Sequence, residues 1–458
     1  MAAPSEDLVC PIDFRYGRPE VRAIFSRERR FRRWLRVEAA LARSSAAAGL
    51  FPASEAEAIE RAAAGPGPTL QRFDELERET GHDLMALSRT LAEQAGSAGR
   101  WVHFGATSND ILDTALGLEL RESAEVLGGS LEGLLGALLA QAQRHQDTPM
   151  VARTHGQHAV PFTFGYKLSV FLMEFLRHRE RLREMLPRIA VGKMAGAVGT
   201  GASFGEKAER IERGFLEELK LGREPAPSQL VGRDRLAEFL AWCALVASSA
   251  DRVATEVRNL QRTEIAEVQE PFDERSQVGS STMAQKRNPV HSENVSSIAR
   301  LLRALPGPAY ENMVQWHERD LANSANERFL LPHAVILLDE VLRRLTRVVS
   351  GLRVDEERMR RNLAATQGAV MAEALMLALT DRGIARSEAH EVLRRLTRDL
   401  DAAALVPLQQ RAEGDETLRR AFRPEEIRQV LDPASYLAAS GRKARKVLEE
   451  AARALGRS

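Results

Sequence analysis

Cysteine and aromatic residues are scarce in this sequence, and their scarcity excludes several classes of protein. The only cysteines among its 458 residues are Cys10 and Cys243, too few for a disulfide scaffold or a thiolate zinc site. Aromatic residues make up 5% of the chain. Ala, Leu, Arg and Glu, which favour helices, are prominent, whereas strands favour aromatic and β-branched residues. The composition therefore predicts an all-α protein.

The sequence also has almost no net charge and no long apolar run. Its 65 Lys and Arg residues balance 64 Asp and Glu residues, and a formal net charge of +1 argues against bulk attraction to nucleic acid or membrane. No uncharged stretch approaches the roughly 18 apolar residues that a membrane span needs. The first residues, MAAPSEDLVCPIDF, lack the basic and apolar regions of a signal peptide. We therefore expect a cytoplasmic protein with no nucleic-acid or membrane partner.

Apolar residues recur at helical spacing along most of the chain. One set falls at i, i+3, i+4, i+7 and i+8 and consists of Leu131, Leu134, Leu135, Leu138 and Leu139. Residues 236–268 contain neither Pro nor Gly and predict a long helix, of the kind that suits a helical bundle. Because the chain exceeds the usual size of one hydrophobic core, we divide it into three parts. These are an N-terminal helical domain (1–111), a central long-helix bundle (112–360) and a C-terminal helical domain (361–458).

Five polar segments interrupt the helical pattern. They are residues 79–83 (ETGHD), 103–110 (HFGATSND), 153–161 (RTHGQHAVP), 192–205 (GKMAGAVGTGASFG) and 278–294 (VGSSTMAQKRNPVHSEN). Their His, Thr, Ser and Asn side chains are costly to bury without partners, so together they indicate a shared polar site among helix ends. The Lys, Arg and Asn of the last segment favour an anionic ligand.

Some of these residues have alternative interpretations. His155 and His158 are three apart, as in a metal pair, but no Glu or further His follows, and Gly156 argues against a regular helix. His82 and Asp83 are similar to the pair found in metal-dependent phosphohydrolases, although two residues identify little. The glycine run at 192–205 lacks the ending of a phosphate loop and is either a turn or a backbone surface that a ligand approaches closely. We predict no metal and no organic cofactor.

Several of these stretches resemble the signature regions of the fumarase/aspartase superfamily. GSSTMAQKRNP matches its loop pattern, and WVHFGATSNDILDTA and RTHGQHAVPFTFG are similar to its two other signatures. Within the superfamily, RYGRPEVRAIFSRERRFRRWLRVEAALA and ERDLANSANER resemble the adenylosuccinate lyases. The resemblance implies three helical domains around a long central bundle, and a homotetramer in which each site is built from three subunits.

The resemblance also implies a reaction. Members of the family eliminate fumarate from a succinyl-amine, releasing AMP from adenylosuccinate, and also cleave the succinylated carboxamide intermediate of purine synthesis, SAICAR, to AICAR. Removing a proton beside a carboxylate develops a second negative charge, so stabilisation has to be electrostatic and preorganised. The sequence leaves the preference between the two substrates open.

By the same resemblance, catalytic roles fall on five residues. Ser280 would be the base, placed on a closing loop and assisted by Lys286. His155 would protonate the departing nitrogen, and Glu293 would orient its ring and hold its charge. His82 would lie near the phosphate and assist.

The remaining predicted site residues would bind the substrate. Thr107, Ser108 and Thr154 would hold carboxylates, and Gln229 would position the substrate. Asn288 would stabilise the developing charge beside Lys286. The other members of the set are Asp83 and, for the phosphate, Arg15, Tyr16, Arg319, Ser324 and Arg328.

The chain departs from the family pattern at two positions, and two other functions compete with the first. Ala284 replaces the usual Pro of the loop, which leaves the stiffness of the loop open, and Gln285 stands where His or Tyr is common. One competing function is that of another superfamily enzyme acting on a non-nucleotide substituted succinate, such as a carboxymuconate cycloisomerase. The other is that of a non-catalytic structural relative, as in the lens crystallins related to argininosuccinate lyase.

Overall fold

The computed structural model describes residues 8–272, 282–283, 285–398 and 406–456, and most of them are helical. The first α-helices are α1 (Pro19–Ile24), α2 (Arg27–Ala47), α3 (Ala53–Ala64), α4 (Leu70–Thr80), α5 (Asp83–Ala95), α6 (Ser108–Arg144), α7 (Phe164–Ile189), α8 (Ala208–Leu219), α9 (Asp234–Leu260) and α10 (Val290–Ala304). The later ones are α11 (Pro306–Glu311), α12 (Ser324–Ser350), α13 (Glu356–Ala364), α14 (Ala372–Asp381), α15 (Arg386–Leu396), α16 (Leu408–Gly414), α17 (Glu416–Ala421), α18 (Pro424–Val430) and α19 (Ala434–Ala454). Short 3-10 helices occupy Pro11–Asp13, Gly96–Trp101, Ala202–Lys207 and Ala369–Met371.

Short strands form three two-stranded sheets between the helices. The antiparallel pairs are β1 (Pro149–Thr154) with β2 (Gln157–Thr163) and β5 (Val268–Gln269) with β6 (Arg353–Val354), and β3 (Val191–Gly192) runs parallel to β4 (Gly222–Arg223). The predicted all-α architecture is confirmed, with these strands as small additions that the composition did not predict.

The helix predicted over residues 236–268 is shorter than its sequence pattern. It ends at Leu260, whose carbonyl accepts the backbone N–H of Glu267 at 2.9 Å after a turn in which Ala266 has a φ of +50°. The fully buried carboxylate of Glu267 takes two hydrogen bonds from Arg153 and one from Asn362. A continued helix would not bring Glu267 to these partners, which lie far away in sequence.

The chain forms two compact units. The first consists of Met1–Glu132, His178–Ala250 and Ser297–Arg343, and the second of Gly133–Arg177, Asp251–Ser296 and Arg344–Ser458. The division into three domains at residues 111 and 360 stays a prediction.

The core of the first unit gathers the apolar faces of its amphipathic helices. Helix α2 starts where the Ser26 side chain accepts the Arg29 N–H at 3.2 Å, which satisfies one of the free donors at a helix start. Its residues Phe31 and Leu35 are buried, as are Leu87 of α5 and Phe215 of α8. These residues belong to one continuous apolar cluster, whose removal from water is the main stabilisation of the unit.

Helix α6 has the length and apolar composition of a membrane span, with 44% of its most apolar window buried inside the protein. Its acidic residues Asp110, Asp113 and Glu119 are nevertheless buried, and each pairs with a cationic side chain. At Gly117 an added Cβ would lie 2.0 Å from the carbonyl oxygen of Val191, so only glycine permits this close approach to β3. These contacts are those of a helix packed within a protein.

The second unit contains smaller apolar clusters. Val151 of β1 packs with Leu363 of α13 and with Met371. A second cluster includes Leu375 of α14 and Leu393 of α15. The β1–β2 hairpin is thereby attached to the helices of its own unit.

Replacing Phe215 by alanine tests the core of the first unit. The side chain is 0% exposed, so Phe215→Ala leaves a cavity and should lower the free energy of unfolding by about 3–5 kcal/mol. Phe215→Leu is the matched control and should cost less than half as much, because it retains most of the apolar volume. Urea unfolding followed by circular dichroism measures both, and equal midpoints for the wild type and the alanine variant would contradict this packing.

Candidate active site

Three of the predicted residues of the first unit meet at helix starts. His82 precedes α5, and its Nδ1 accepts the Met85 N–H at 3.3 Å, which leaves Nε2 to carry the ring proton in the neutral form. This Nε2 lies 3.5 Å from the hydroxyl of Ser108, the first residue of α6. Asp83 lies beside the ring, with its carboxylate 3.5 Å from Nδ1. The structure therefore brings His82, Asp83 and Ser108 together.

Thr107 is held by a buried carboxylate three residues later. Asp110 accepts the Thr107 N–H at 2.8 Å, while its own N–H donates to the Thr107 carbonyl at 2.9 Å, a reciprocal cap of α6. The same carboxylate accepts the N–H groups of Ala195 and Gly196, both at 3.0 Å, and the ammonium of Lys193 at 2.5 Å. Asp110 and these four donors, which we call the Asp110 node, tie the start of α6 to the glycine run.

Gln229 links the glycine run to Arg319. Its side-chain amide donates to the carbonyl of Ala197 at 2.9 Å and accepts from the guanidinium of Arg319 at 2.7 Å. The backbone N–H of Gln229 donates to the carbonyl of Glu318 at 3.3 Å. Of the two interpretations of the glycine run, this contact favours a backbone surface at a site, because one of its carbonyls meets a predicted substrate-binding residue.

A buried ion network positions the start of α12. Arg233 makes two hydrogen bonds to the carboxylate of Asp113, at 2.9 and 3.0 Å, and lies 2.9 Å from Glu327 of α12. Burial alone would lower the pKa of Arg233, but the two carboxylates raise it. Ser324 and Arg328 flank Glu327 and are one helical turn apart, so they share a face of α12.

Arg15 and Tyr16 lie in a turn near the N-terminus. Their backbone N–H groups both donate to the carbonyl of Pro11, at 2.8 and 3.1 Å. Arg18, two residues later, makes two hydrogen bonds to the fully buried Asp339, at 2.8 and 3.0 Å. This pair anchors the turn to its own unit, and Arg15 is exposed.

In the second unit, His155 lies at the tip of the β1–β2 hairpin. Thr154 and Gln157 pair across the hairpin, and His155 and Gly156 form the two-residue turn with φ values of +53° and +77°. This left-handed backbone is the geometry of a tight hairpin turn and is unusual for a histidine. Thr154 and His155 are both exposed, and Arg153 below them is fixed by Glu267.

Lys286, Asn288 and Glu293 lie on the segment that leads into α10. Lys286 and Glu293 are exposed, and the backbone N–H of Lys286 donates to the carbonyl of Met283 at 3.0 Å. Buried Glu270 accepts the N–H groups of His291 and Ser292, at 2.9 and 3.0 Å, and so caps the start of the helix. These hydrogen bonds fix the start of α10, while Lys286, which precedes the helix, is exposed to solvent.

Two of the residues discussed above, Ser280 and Ala284, lie outside the described residues. Within the part of the chain that the structure describes, no hydrogen bond or ion pair joins His155 to Glu293. Gln285 is exposed, like the neighbouring Lys286.

The metal interpretation of His155 and His158 receives no support from the described residues, which contain no cluster of three or more His, Cys, Asp or Glu side chains able to hold an ion. Burial, together with the charge of Arg153, lowers the pKa of His158 below its usual range. A low pKa would suit a ligand, but a guanidinium beside the ring disfavours a cation there.

Sequence reasoning overlooked the buried acids and their partners. Asp110, Lys193 and Glu270 organise three polar segments, and His103 forms a 2.6 Å contact with the buried carboxylate of Glu38. The T-S-N-D pattern at 107–110 was the available signal for the first, because it places an acid at the third helical position as a capping box does. The others pair with residues too distant in sequence to leave a local pattern.

Two family models match the chain. Residues 13–302 match the model described as "Lyase", and residues 368–447 match the model described as "Adenylosuccinate lyase C-terminus". An adenylosuccinate lyase of Pyrococcus horikoshii is 45% identical over 441 residues, which cover 96% of this chain and 97% of the relative.

Solved structures of two other enzymes are similar to the whole chain. A fumarate lyase from Mesorhizobium sp. BNC1 has a TM-score of 0.86 and 32% identity, covering 94% of this chain and 98% of its own. A 3-carboxy-cis,cis-muconate lactonizing enzyme from Pseudomonas putida has a TM-score of 0.85 and 35% identity, with coverages of 97% and 99%. The fold is thus shared with lyases and with a lactonizing enzyme.

The His103–Glu38 contact predicts a pH-dependent contribution to stability. Burial alone would lower the pKa of His103, but the charge and hydrogen bond of Glu38, with a contribution from Asp110, raise it above its usual value of about 6.5. The stabilisation is therefore complete below that value and is lost as pH rises through the raised pKa. The melting temperature of the wild type should fall by a few degrees relative to His103→Gln between about pH 6 and pH 9. Parallel pH profiles for the two proteins would contradict the assignment.

Proposed function

This chain belongs to the adenylosuccinate lyase family, and we propose that it eliminates fumarate from adenylosuccinate to give AMP. Its fold is of the fumarase/aspartase type. The observation that carries the choice of a nucleotide substrate is the hydrogen bond that Arg319 donates to the side chain of Gln229. Arg319 lies shortly before Ser324, the first residue of α12. We assign the guanidinium of Arg319, the N-terminus of α12 and the hydroxyl of Ser324 to one phosphate group.

The proposed reaction moves one proton off carbon and one onto nitrogen. Ser280, acting as a base, removes a proton from the carbon next to one carboxylate of the succinyl group. The electron pair of that C–H bond forms the double bond of fumarate as the C–N bond breaks, and the electrons of the C–N bond leave with the nitrogen. His155 donates its proton to that nitrogen, and AMP departs.

The carboxylates of the succinyl group require donors that are in place before the charge develops. We assign this role to Thr107 and Ser108, which lie at the positive end of the α6 dipole, and to Thr154. Lys286 and Asn288 contribute a cation and an amide from the segment before α10. The hydrogen bonds of the Asp110 node support this assignment, because they fix the backbone of Thr107 before any ligand arrives.

His155 suits the role of acid because it lies exposed at a tight hairpin turn. In the proposed assembly Glu293 of a neighbouring copy orients its ring, and His82 assists near the phosphate end. Arg15, Tyr16 and Arg328 complete the phosphate site. The proposal extends to SAICAR, which also carries a phosphate group and in which the succinyl group is bonded to a carboxamide nitrogen.

The alternative function, that of a cycloisomerase acting on a non-nucleotide succinate, draws on the similarity to the Pseudomonas putida lactonizing enzyme. That similarity is 35% in identity, against 45% to the Pyrococcus horikoshii adenylosuccinate lyase. The match of residues 368–447 to the adenylosuccinate lyase C-terminus also favours the first function.

A homotetramer with shared sites is part of the proposal. Several large apolar side chains of the first unit are exposed in the single chain, namely Leu301, Tyr310, Val314, Trp316, Leu321 and Phe329. Exposed apolar residues concentrated in one stretch are typical of surfaces that bind another protein. A second copy of this chain is the partner we propose, and a cytoplasmic location belongs to the same proposal.

A spectrophotometric assay of fumarate release tests the reaction and its acid. The wild type should cleave adenylosuccinate, and the unphosphorylated succinyl-adenosine should react with a much lower kcat/KM because the phosphate contacts are lost. His155→Gln should lower kcat by about 10²–10⁴-fold, the usual contribution of a general acid.

His158→Gln is the matched control for that variant. It changes the other histidine of the hairpin, and it should retain most of the activity. Equal losses in the two variants would argue against His155 as the acid, and turnover of only unphosphorylated succinates by the wild type would favour the alternative function.

Mixing two inactive variants tests the shared sites. Ser280→Ala and His155→Gln should each be inactive as homotetramers, while tetramers reassembled from both should regain part of the activity, because some sites would then receive both intact residues. Gel filtration confirms assembly, and separately reassembled single variants serve as controls. Verified hybrid tetramers without activity would contradict sites built from several copies.

A further inference from the structure

The Asp110 node is a fully buried polar group beside Thr107 and Ser108, and the proposed reaction itself makes no use of it. The side chains of Asp110 and Lys193 are both 0% exposed, so neither can touch a substrate. Any effect of Asp110 or Lys193 on the reaction therefore passes through other residues.

The two carboxylate oxygens divide the donors between them. Oδ2 accepts the N–H groups of Thr107 at 2.8 Å and Gly196 at 3.0 Å. Oδ1 accepts the N–H of Ala195 at 3.0 Å and the ammonium of Lys193 at 2.5 Å. One oxygen thus joins the start of α6 directly to the glycine run, while the other carries the counter-ion.

The glycine run is held from several directions near this node. Thr114 of α6 donates its hydroxyl to the Lys193 carbonyl at 3.0 Å and lies 3.2 Å from the Lys193 N–H. The N–H of Met194 donates to Glu212 at 3.2 Å. The backbone from 193 to 196 is consequently fixed, and Thr107 is fixed relative to it.

We propose that Asp110 is a positioning residue, which places Thr107 and Ser108 to receive a carboxylate of the substrate by holding the Thr107 N–H against the glycine run. This inference rests on the proposed function, because it takes the carboxylate-binding role of Thr107 and Ser108 as given. Lys193 has a different role: it compensates the charge of Asp110 where both side chains are fully buried.

Two double variants separate hydrogen bonding from charge and from packing. Lys193→Met removes the buried cation in both, so neither variant leaves it unpaired. In Asp110→Asn the amide oxygen can turn to the side of Thr107 and Gly196 and keep both bonds, with only the Ala195 N–H left facing a donor. Asp110→Leu has the same branched shape but no acceptor, so all three N–H groups lose their partner.

Calorimetric titration with fumarate measures the effect without any need for turnover. The Asn double variant should bind fumarate within about threefold of the wild type, and the Leu double variant about tenfold or more weakly, since lost acceptors let Thr107 move. AMP should bind both variants within about threefold of the wild type, because Arg233 and Glu327 hold the start of α12 independently.

Glu119→Gln is the control for the loss of a buried ion pair. Glu119 is on α6, pairs with Arg33 at 2.7 Å, and makes no contact with the glycine run among the described hydrogen bonds. This variant should lose stability while binding fumarate as the wild type does. Circular dichroism and gel filtration establish that each variant is folded and assembled.

Each outcome of the fumarate titrations either supports or overturns the inference. Weak fumarate binding in the Leu variant alone supports the inference. Equal fumarate binding in the Asn and Leu variants overturns it, as does a Leu variant that fails to fold while the Asn variant folds, because Asp110 would then serve the fold only. If the wild type itself neither binds fumarate nor cleaves adenylosuccinate, the proposed function fails, and that outcome is recognised before any variant is compared.

Discussion

A carboxylate buried in a helical protein needs hydrogen-bond donors, and this requirement fixes the loops of the proposed site. Asp110 takes backbone donors from both the start of α6 and the glycine run. Asp113, on the same helix, takes the N–H of Val231 at 2.8 Å together with the guanidinium of Arg233. Two acids on one helix thereby hold three loop segments whose backbone would otherwise have many accessible conformations. The functional loops of the first unit are ordered by these acceptors in addition to apolar packing, to which the buried Met194 and Phe204 of the glycine run contribute.

The second unit uses the same device on other segments. Glu267 holds Arg153 by two hydrogen bonds of 2.8 and 2.9 Å, directly before the turn that contains His155. Glu270 caps α10 through two backbone N–H groups and the hydroxyl of Ser292, just before Glu293. Each buried donor left without its acceptor would cost about 1–3 kcal/mol, so these acids resist displacement. Precise placement of exposed side chains therefore depends on acids that no ligand reaches.

The sequence predicted those features of the structure that leave a local pattern of residue types. Helical class follows from periodicity, and the polar segments stand out because they interrupt it, so His82 and Ser108 could be selected as site residues. Gln229 lies outside these segments and was selected through the family resemblance. The acids that order these segments could not be selected, because their partners are remote: 83 residues separate Asp110 from Lys193, and 114 separate Arg153 from Glu267. The early end of α9 has the same origin, since it depends on where Glu267 is buried.

Helix starts explain how a chain with a net charge of +1 can hold a substrate that carries several negative charges. Thr107 and Ser108 lie at the start of α6, and Ser324 begins α12, where the helix dipole favours an anion by about 0.3–1 kcal/mol each. An ionised Asp110 in the first turn of α6 would oppose this attraction if it stood alone. Because Lys193 lies 2.5 Å from it, the pair is neutral, and the start of α6 keeps its positive potential. The buried ammonium thus has a second consequence beyond folding, since it lets an acid order the loop without repelling the carboxylate that the loop has to bind.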